Sequence, residues 1–235
     1  MRKIIFLILI ISTIIIAQQR DSSIIFVSDT QAPMWIETLR LPEHDNKKAT
    51  KLIYHAIEQE STAVAVFHLG DITSIGMMDS YWKPFDEFRK HLRVPLYSII
   101  GNHEYFFFKK PALEQFHNRF PSVTTTWYSV VTHSVAIIAL NSNLSQLSGH
   151  AHAYEHFQNN GKEFLVIGGG GGLLQPLLTG SEQRFTDLFS RDQSLRFFHY
   201  IECRIEKELL RFSVKKLRSD RAGFDAVDSI SVRFQ

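Results

Sequence analysis

Residues 96–104 read Leu96-Tyr97-Ser98-Ile99-Ile100-Gly101-Asn102-His103-Glu104. A short apolar run stops at a glycine, and polar side chains follow at once. The run fits a buried strand, and the break fits the loop that leaves its end. Two stretches upstream have the same form. Ile24 to Val27 runs into Ser28-Asp29, and Ala63 to Phe67 runs toward Gly70-Asp71. Amphipathic segments lie between them. From Asp45 to Gln59, Ala49, Leu52, Ile53, Ala56 and Ile57 recur at helical spacing, as do Tyr81, Phe85, Phe88 and Leu92 further on. Strand, helix, strand, helix, strand predicts a parallel α/β sheet with right-handed crossovers. In open sheets of that kind a site lies beyond the carboxyl ends of the strands. Asp29, Asp71 and Asn102 are therefore expected along one edge.

The second half has a different rhythm. Trp127 to Val131 and Val135 to Leu140 flank Thr132-His133-Ser134, which predicts a hairpin. Phe164 to Ile167 is a further strand, running into Gly168 to Gly172. Phe197 to Ile205 and Leu209 to Lys215 flank Glu206-Lys207-Glu208, a second hairpin. The expected fold class is α/β: an α/β/β/α sandwich of two mixed sheets flanked by helices.

The chain has 235 residues, 44% apolar and 21% charged, which suits one domain with a substantial core. The net charge is +2 and the Lys and Arg residues are scattered, so no nucleic-acid partner is expected. Arg2 and Lys3, then the apolar run Ile4 to Ile16, then Ala17, read as a secretory signal peptide over 1–17. A domain over 18–235 then follows. The expected location is secreted, periplasmic or otherwise outside the cytoplasm, with no stable membrane partner unless that segment is retained as an anchor. Cys203 is the single cysteine, so no internal disulfide can form. Asn143-Leu144-Ser145 is a glycosylation sequon, meaningful only in a eukaryotic secretory pathway.

Four clusters carry the chemistry: Asp29-Thr30-Gln31, Gly70-Asp71, Gly101-Asn102-His103-Glu104 and Gly149-His150-Ala151-His152. Carboxylate, carboxamide and imidazole together suit Mn, Fe or Zn. His150 and His152 are two apart and share a face in an extended segment. In order and spacing the four blocks resemble the calcineurin-like metallophosphoesterases, which include purple acid phosphatases and phosphodiesterases. Gly149 to Glu155 and the glycine run 168–172 are most similar to the secreted, purple-acid-phosphatase-like branch. The resemblance implies hydrolysis of phosphomonoesters or phosphodiesters by a metal-activated water, with a small phosphate ester as partner. It implies two di- or trivalent ions (Mn, Fe or Zn), or one if the second site is incomplete. Asp29, Gln31, Asp71 and His152 would hold the first, with Asp71 bridging. Asn102 and His150 would help hold the second. His103 would serve the leaving group, with Glu104 orienting it.

Three departures from the family pattern stand out. Gln31 occupies a position where His is commonest. Ser74 stands where purple acid phosphatases carry an iron-binding Tyr, so no purple colour is expected. Between Leu140 and Gly149 only eight residues remain, 141–148, where the family has a crossover helix and a strand bearing another His. One crossover unit of the sandwich is thus expected to be missing, and with it one ligand; His133 and His156 are the only nearby candidates to replace it. An internally deleted product, an enzyme working with one metal, and a non-catalytic relative that retains the fold are all open readings. Phe106 to Phe108 is expected to pack in the core, Lys109-Lys110 to be a solvated pair, and the glycine run to be a flexible connection. His68 is expected in the core. His44, His55, His91, His117 and His199 are read as structural or surface residues.

Overall fold

The computed structural model describes residues 22–39, 45–125, 127–140, 152–177, 185–189 and 197–233. The predicted signal segment, the interval 141–148 with its sequon, His44 and His150 lie outside the described residues. No described helix is long and apolar enough to cross a membrane.

The elements follow in order as β1 (Ser22–Val27), α1 (Trp35–Thr38), α2 (Asn46–Gln59), β2 (Ala63–His68), α3 (Asp79–His91), β3 (Leu96–Ser98), a 3-10 turn (His103–Tyr105) and α4 (Lys109–Arg119). Then come β4 (Trp127–Thr132), β5 (Val135–Leu140), β6 (Tyr154–Asn159), β7 (Lys162–Ile167), β8 (His199–Ile205), β9 (Leu209–Leu217) and β10 (Phe224–Arg233). Six strands form one mixed sheet in the order β10-β9-β8-β1-β2-β3. The pairs β1–β2 and β2–β3 are parallel, and β1–β8, β8–β9 and β9–β10 are antiparallel. The expected mixed α/β fold with flanking helices is therefore present.

Strands β1 and β2 are apolar on both faces because both faces are covered. Ile25, Val27 and Val66 face the helices and meet Ile53, Ile57, Trp82, Phe85 and Phe116. Ile24, Ala65 and Phe67 face the other way, with the Cys203 thiol among them. The buried face of α3 is Trp82, Phe85 and Phe88; Tyr81, expected inside, is exposed. Helix α4, not anticipated, is tied to α3 by Arg119. Its guanidinium pairs with Asp86 and Asp79 at 2.6 and 2.8 Å and lies over the Trp82 ring.

On the far side of the sheet the second layer is in two pieces. Hairpin β4–β5 packs on Phe67 and Ile24 through Val130, Val135 and Ile137. Hairpin β6–β7 packs through Tyr154, Leu165 and Ile167 against Ile201 and Val214. Among the described residues the two hairpins do not pair with each other. An apolar gap of about 250 Å³ separates β5 from β7 above Phe26 and Phe67. The outer face of β4–β5, with Trp127, Val131, Ile138 and Leu140, is exposed. In the sequence, eight residues, 141–148, separate Leu140 from Gly149-His150-Ala151-His152. A parallel return needs about a dozen residues or more.

Candidate metal centre at the strand ends

Because β1, β2 and β3 run parallel, their carboxyl ends deliver three loops to one edge. The loops are stitched by backbone bonds. Asp29 N–H donates to Gly70 O at 3.1 Å, and Thr30 and Gln31 N–H both donate to Asp71 O at 3.0 and 3.2 Å. Asp29 and Asp71 adopt left-handed backbone, φ 56° and 53°. Asp tolerates that region better than most side chains, at a cost of about 1–3 kcal/mol each, and such strain concentrates at functional sites. Gly101 is required by its neighbour: a Cβ there would stand 2.2 Å from both Asp71 N and Asp71 Oδ1.

Asp29, Gln31 and His152 converge in the interior, although His152 lies 121 residues from Gln31. His152 Nδ1 sits 2.5 Å from the Leu173 carbonyl, which turns Nε2 toward the other two. That Nε2 lies 3.1 Å from the Gln31 amide nitrogen and 3.3 Å from Asp29 Oδ1. Burial disfavours the His152 cation, but the Asp29 carboxylate and the Leu173 carbonyl outweigh it, and the imidazole is more basic than usual. Charge that favours a proton there would favour a metal cation too. Asp71 Oδ1 accepts the His103 backbone N–H at 2.8 Å, which sets Asn102, one residue earlier, beside Asp71.

Glu104 is buried and accepts four backbone amides: Gly101 at 2.6, Ile72 at 2.7, Asp71 at 3.0 and Thr73 at 3.1 Å. It holds the Asp71 loop onto the Gly101 loop. Burial and the nearby Asp71 charge push its carboxyl upward, while the amides pull it back. The His103 ring is held by the Ser74 carbonyl, 3.2 Å from Nδ1, and stacks on Phe106.

Several contributors were not visible as motifs. Along α2 the residues Asn46, Thr50 and Tyr54 form a buried polar stripe at i, i+4 and i+8. Asn46 Nδ2 donates to Gly171 O and Gly172 O, each at 2.8 Å. Thr50 donates to Thr30 O at 3.2 Å, and Tyr54 to the Thr30 hydroxyl at 2.6 Å. The hydroxyl of Thr30 also meets His68 Nε2 at 2.9 Å. The glycine run, expected to be a flexible connection, is instead pinned: Gly170 N–H donates to Ser28 O and Gly172 N–H to Asp29 O, at 2.9 and 2.6 Å. Gly172 packs so closely on His152 that a Cβ would come within 2.8 Å of the ring. Phe106 to Phe108 are exposed rather than in the core. Lys109 and Lys110 are exposed, as expected of a solvated pair.

The two substitute ligands considered from sequence are engaged elsewhere. His133 forms the β4–β5 turn, its ring 3.1 Å from the Thr132 hydroxyl. His156 contacts Glu163 at 2.8 Å and Asp228 at 3.4 Å.

The chain matches the calcineurin-like phosphoesterase family over residues 22–196. It belongs to that family. No curated protein matches it in sequence. Among solved structures it is similar to the purple acid phosphatase PPD1 of yellow lupin (Lupinus luteus) seeds, with 14% identity and a TM-score of 0.55. That match covers 91% of this chain and 54% of the phosphatase, so the chain spans about half of that protein's length. It is also similar to Chaetomium thermophilum Vps29, with 14% identity, a TM-score of 0.50, and 91% and 98% of the two chains covered. At these identities the likeness concerns the fold.

Family members typically bind divalent metals, and the residues here can be tested against that. Among the described residues no three His, Cys, Asp or Glu side chains cluster tightly enough to hold an ion by themselves. The Gln31 amide stands with Asp29 and His152 as a further candidate donor. Gln31 Oε1 is buried with no hydrogen-bond partner among the described residues, and Asp29 Oδ1 has His152 Nε2 beside it at 3.3 Å. An orphaned buried acceptor costs about 1–3 kcal/mol, a cost that a bound cation would relieve. Ligand atoms about 2.1 Å from one ion and at right angles stand about 3 Å apart. The spacing of 3.3 Å between His152 Nε2 and Asp29 Oδ1 agrees with that, while it is the Gln31 amide nitrogen that faces the ring at 3.1 Å. Asp29, Gln31 and His152 are thus brought together as candidate donors, and Asp71 lies on the neighbouring loop. The second set is described only at Asp71 and Asn102, since His150 lies outside the described residues.

Proposed function

We propose that this protein is a metal-dependent phosphoesterase, hydrolysing phosphomonoesters or phosphodiesters outside the cytoplasm. The observation that carries the reading is the buried convergence of Asp29 Oδ1, the Gln31 amide and the directed His152 Nε2 at the strand ends. Asp29, Gln31, Asp71 and His152 would hold an ion, with Asn102 and His150 reaching toward a second. A bound di- or trivalent ion supplies positive charge for the phosphoryl oxygens and lowers the pKa of an attacking water. His103, buried with Nδ1 against Ser74, would give a proton to the leaving alcohol. Glu104 fixes the loop that carries Asp71, and the α2 stripe fixes the loop that carries Asp29 and Gln31.

A second reading has its own support. The split second layer and the short interval before His150 favour a chain that holds one ion, or that has kept the fold and lost turnover. Both readings meet in one assay. The mature chain is given p-nitrophenyl phosphate or bis(p-nitrophenyl) phosphate with Mn, beside Asp71→Ala. Turnover that needs Mn and disappears in the variant supports the enzyme. No turnover by protein shown to be folded selects the non-catalytic reading.

A further inference from the structure

The wall that holds His103 is also the wall of a second space. A cavity of about 630 Å³ opens between the loop after β1, the start of α3 and the turn after β3. Thr30, between Asp29 and Gln31, lies on its floor. Ser74, whose carbonyl meets His103 Nδ1, lies on its side. Phe106, on its rim, stacks on the His103 ring at 6.1 Å and 27°. Ser74 and Phe106 thus touch both the His103 ring and this cavity, which sets the cavity next to His103.

Its lining is aromatic. Trp35, Tyr81, Phe106 and Phe107 surround the opening, with Tyr54 behind. Trp35 is 75% exposed and Phe107 66% exposed, an unusual outlay of apolar surface around one hollow. Both are held in place. Trp35 opens the short helix α1, whose Glu37 carboxylate accepts the Met34 N–H at 2.6 Å. Phe107 takes φ 67°, a strained conformation for a bulky residue, and its ring meets Phe106 edge-to-face at 4.4 Å. Lys47 is the one charged side chain among the described lining residues, and no carboxylate is among them. Such a space suits a flat apolar group on an anionic molecule. It offers few partners to the hydroxyls of a polyol, which would lose water without replacement.

We propose that this cavity receives the alcohol portion of the phosphoester, and that the substrates are phosphoesters of aromatic alcohols rather than of polyols. The proposal rests on the phosphoesterase reading above. In the hydrolysis, a bond forms from the water oxygen to phosphorus. The bond from phosphorus to the alcohol oxygen breaks, and the alcohol leaves with the electron pair and takes up a proton. The proton lost by the water goes to solvent. Binding the alcohol's ring against Trp35 and Phe107 holds that oxygen beside His103.

The test compares phenethyl phosphate with glycerol 3-phosphate, both esters of alkyl alcohols, so leaving-group acidity does not dominate the comparison. With Mn, kcat/KM is expected to favour the phenethyl ester about 10- to 100-fold. In Trp35→Ala and Phe107→Ala the preference should fall toward about threefold. Circular dichroism confirms folding, which loss of an exposed side chain should leave intact. Tryptophan fluorescence with phenethylphosphonate, which cannot be hydrolysed, reads binding separately. Equal kcat/KM for the two esters overturns the cavity assignment and leaves the phosphoesterase standing. No turnover of either ester, together with saturable phosphonate binding that Phe107→Ala abolishes, removes the enzyme and keeps the cavity as a ligand site. Neither turnover nor binding removes both.

Discussion

The parallel half of the molecule and the hairpin layer behind it pack face to face, yet among the described residues only the first is continuous. From β1 to β3 each strand returns through a helix, both faces are covered, and three loops arrive at one edge already bonded to each other. In the hairpin layer β5 and β7 stand apart over an apolar gap, and the outer side of β4–β5 is bare. The difference lies in how the strands are connected: β1, β2 and β3 return through helices, whereas each outer hairpin turns back on itself. Crossovers deliver both a neighbour for the edge and a helix for the face. Of the candidate donors, Asp29, Gln31, Asp71 and Asn102 lie on loops of the parallel half, and His152 reaches them from the segment before β6.

The sharpest way to break this contrast is Gly101→Ala. Its Cβ would meet Asp71 backbone and carboxylate at 2.2 Å, so a loss above about 4 kcal/mol in urea unfolding and loss of Mn binding are expected. The matching change at the β6–β7 turn, Gly161→Ala, meets nothing within 4 Å and has only its φ of 71° to resist it. About 1 kcal/mol is expected there. Comparable costs for the two would mean that the strand-end loops are no more tightly fitted than a surface turn.

Acid should act next most strongly. Burial drives His68 down to about 3 and His199 to about 4, from an ordinary value near 6.5. Both are neutral in the folded state, while the unfolded chain takes up their protons below pH 6.5. Stability should therefore be full above that pH and fall as pH drops toward 4 and 3. At pH 5 each histidine should cost on the order of 2 kcal/mol. Urea midpoints at pH 7 and pH 5 check this, and an unchanged midpoint would contradict the burial of these rings.

Metal addition probes the continuous half directly. Mn at a hundred times its Kd should raise stability by about 2.7 kcal/mol, read as a rise in Tm. Gln31→Leu should abolish that rise because it removes one of the candidate donors. If Gln31→Leu keeps the full shift, the ion is held elsewhere. The smallest effect should come from the bare outer face. Ile138→Thr or Leu140→Ser should change stability by about 0.5 kcal/mol or less, since neither side chain is buried. A larger loss would show that something covers that face.

The loops that bear Asp29, Asp71 and Asn102 were legible because an apolar run followed by a polar break is a one-dimensional signal. Gln31 and His152 were legible only through family resemblance, since nothing local links residues so far apart in sequence. Strand β6 escaped notice, although Asn160-Gly161, both at positive φ, is a hairpin signal. Helix α4 was hidden because its segment buries little beyond Ala112, Phe116 and Arg119. Trp82 rather than Tyr81 faces inward because α3 is rotated slightly from the face first read. The outward turn of Phe106 to Phe108 is a tertiary outcome, invisible to composition. Asn46, Thr50 and Tyr54 look like polar interruptions of an amphipathic helix until the loops they hold are seen.

That stripe on α2 also bears on motion. A loop with five consecutive glycines would ordinarily exchange its amide hydrogens through small local openings. Here Gly170 and Gly172 donate to β1's loop while Asn46 grips the carbonyls of Gly171 and Gly172. Opening the run breaks these amide bonds to the β1 loop and the Asn46 bonds from α2 together, and α2 holds the same β1 loop through Thr50 and Tyr54 on Thr30. The glycine run should thus exchange on the timescale of the core helix, and the floor of the site behaves as part of the scaffold.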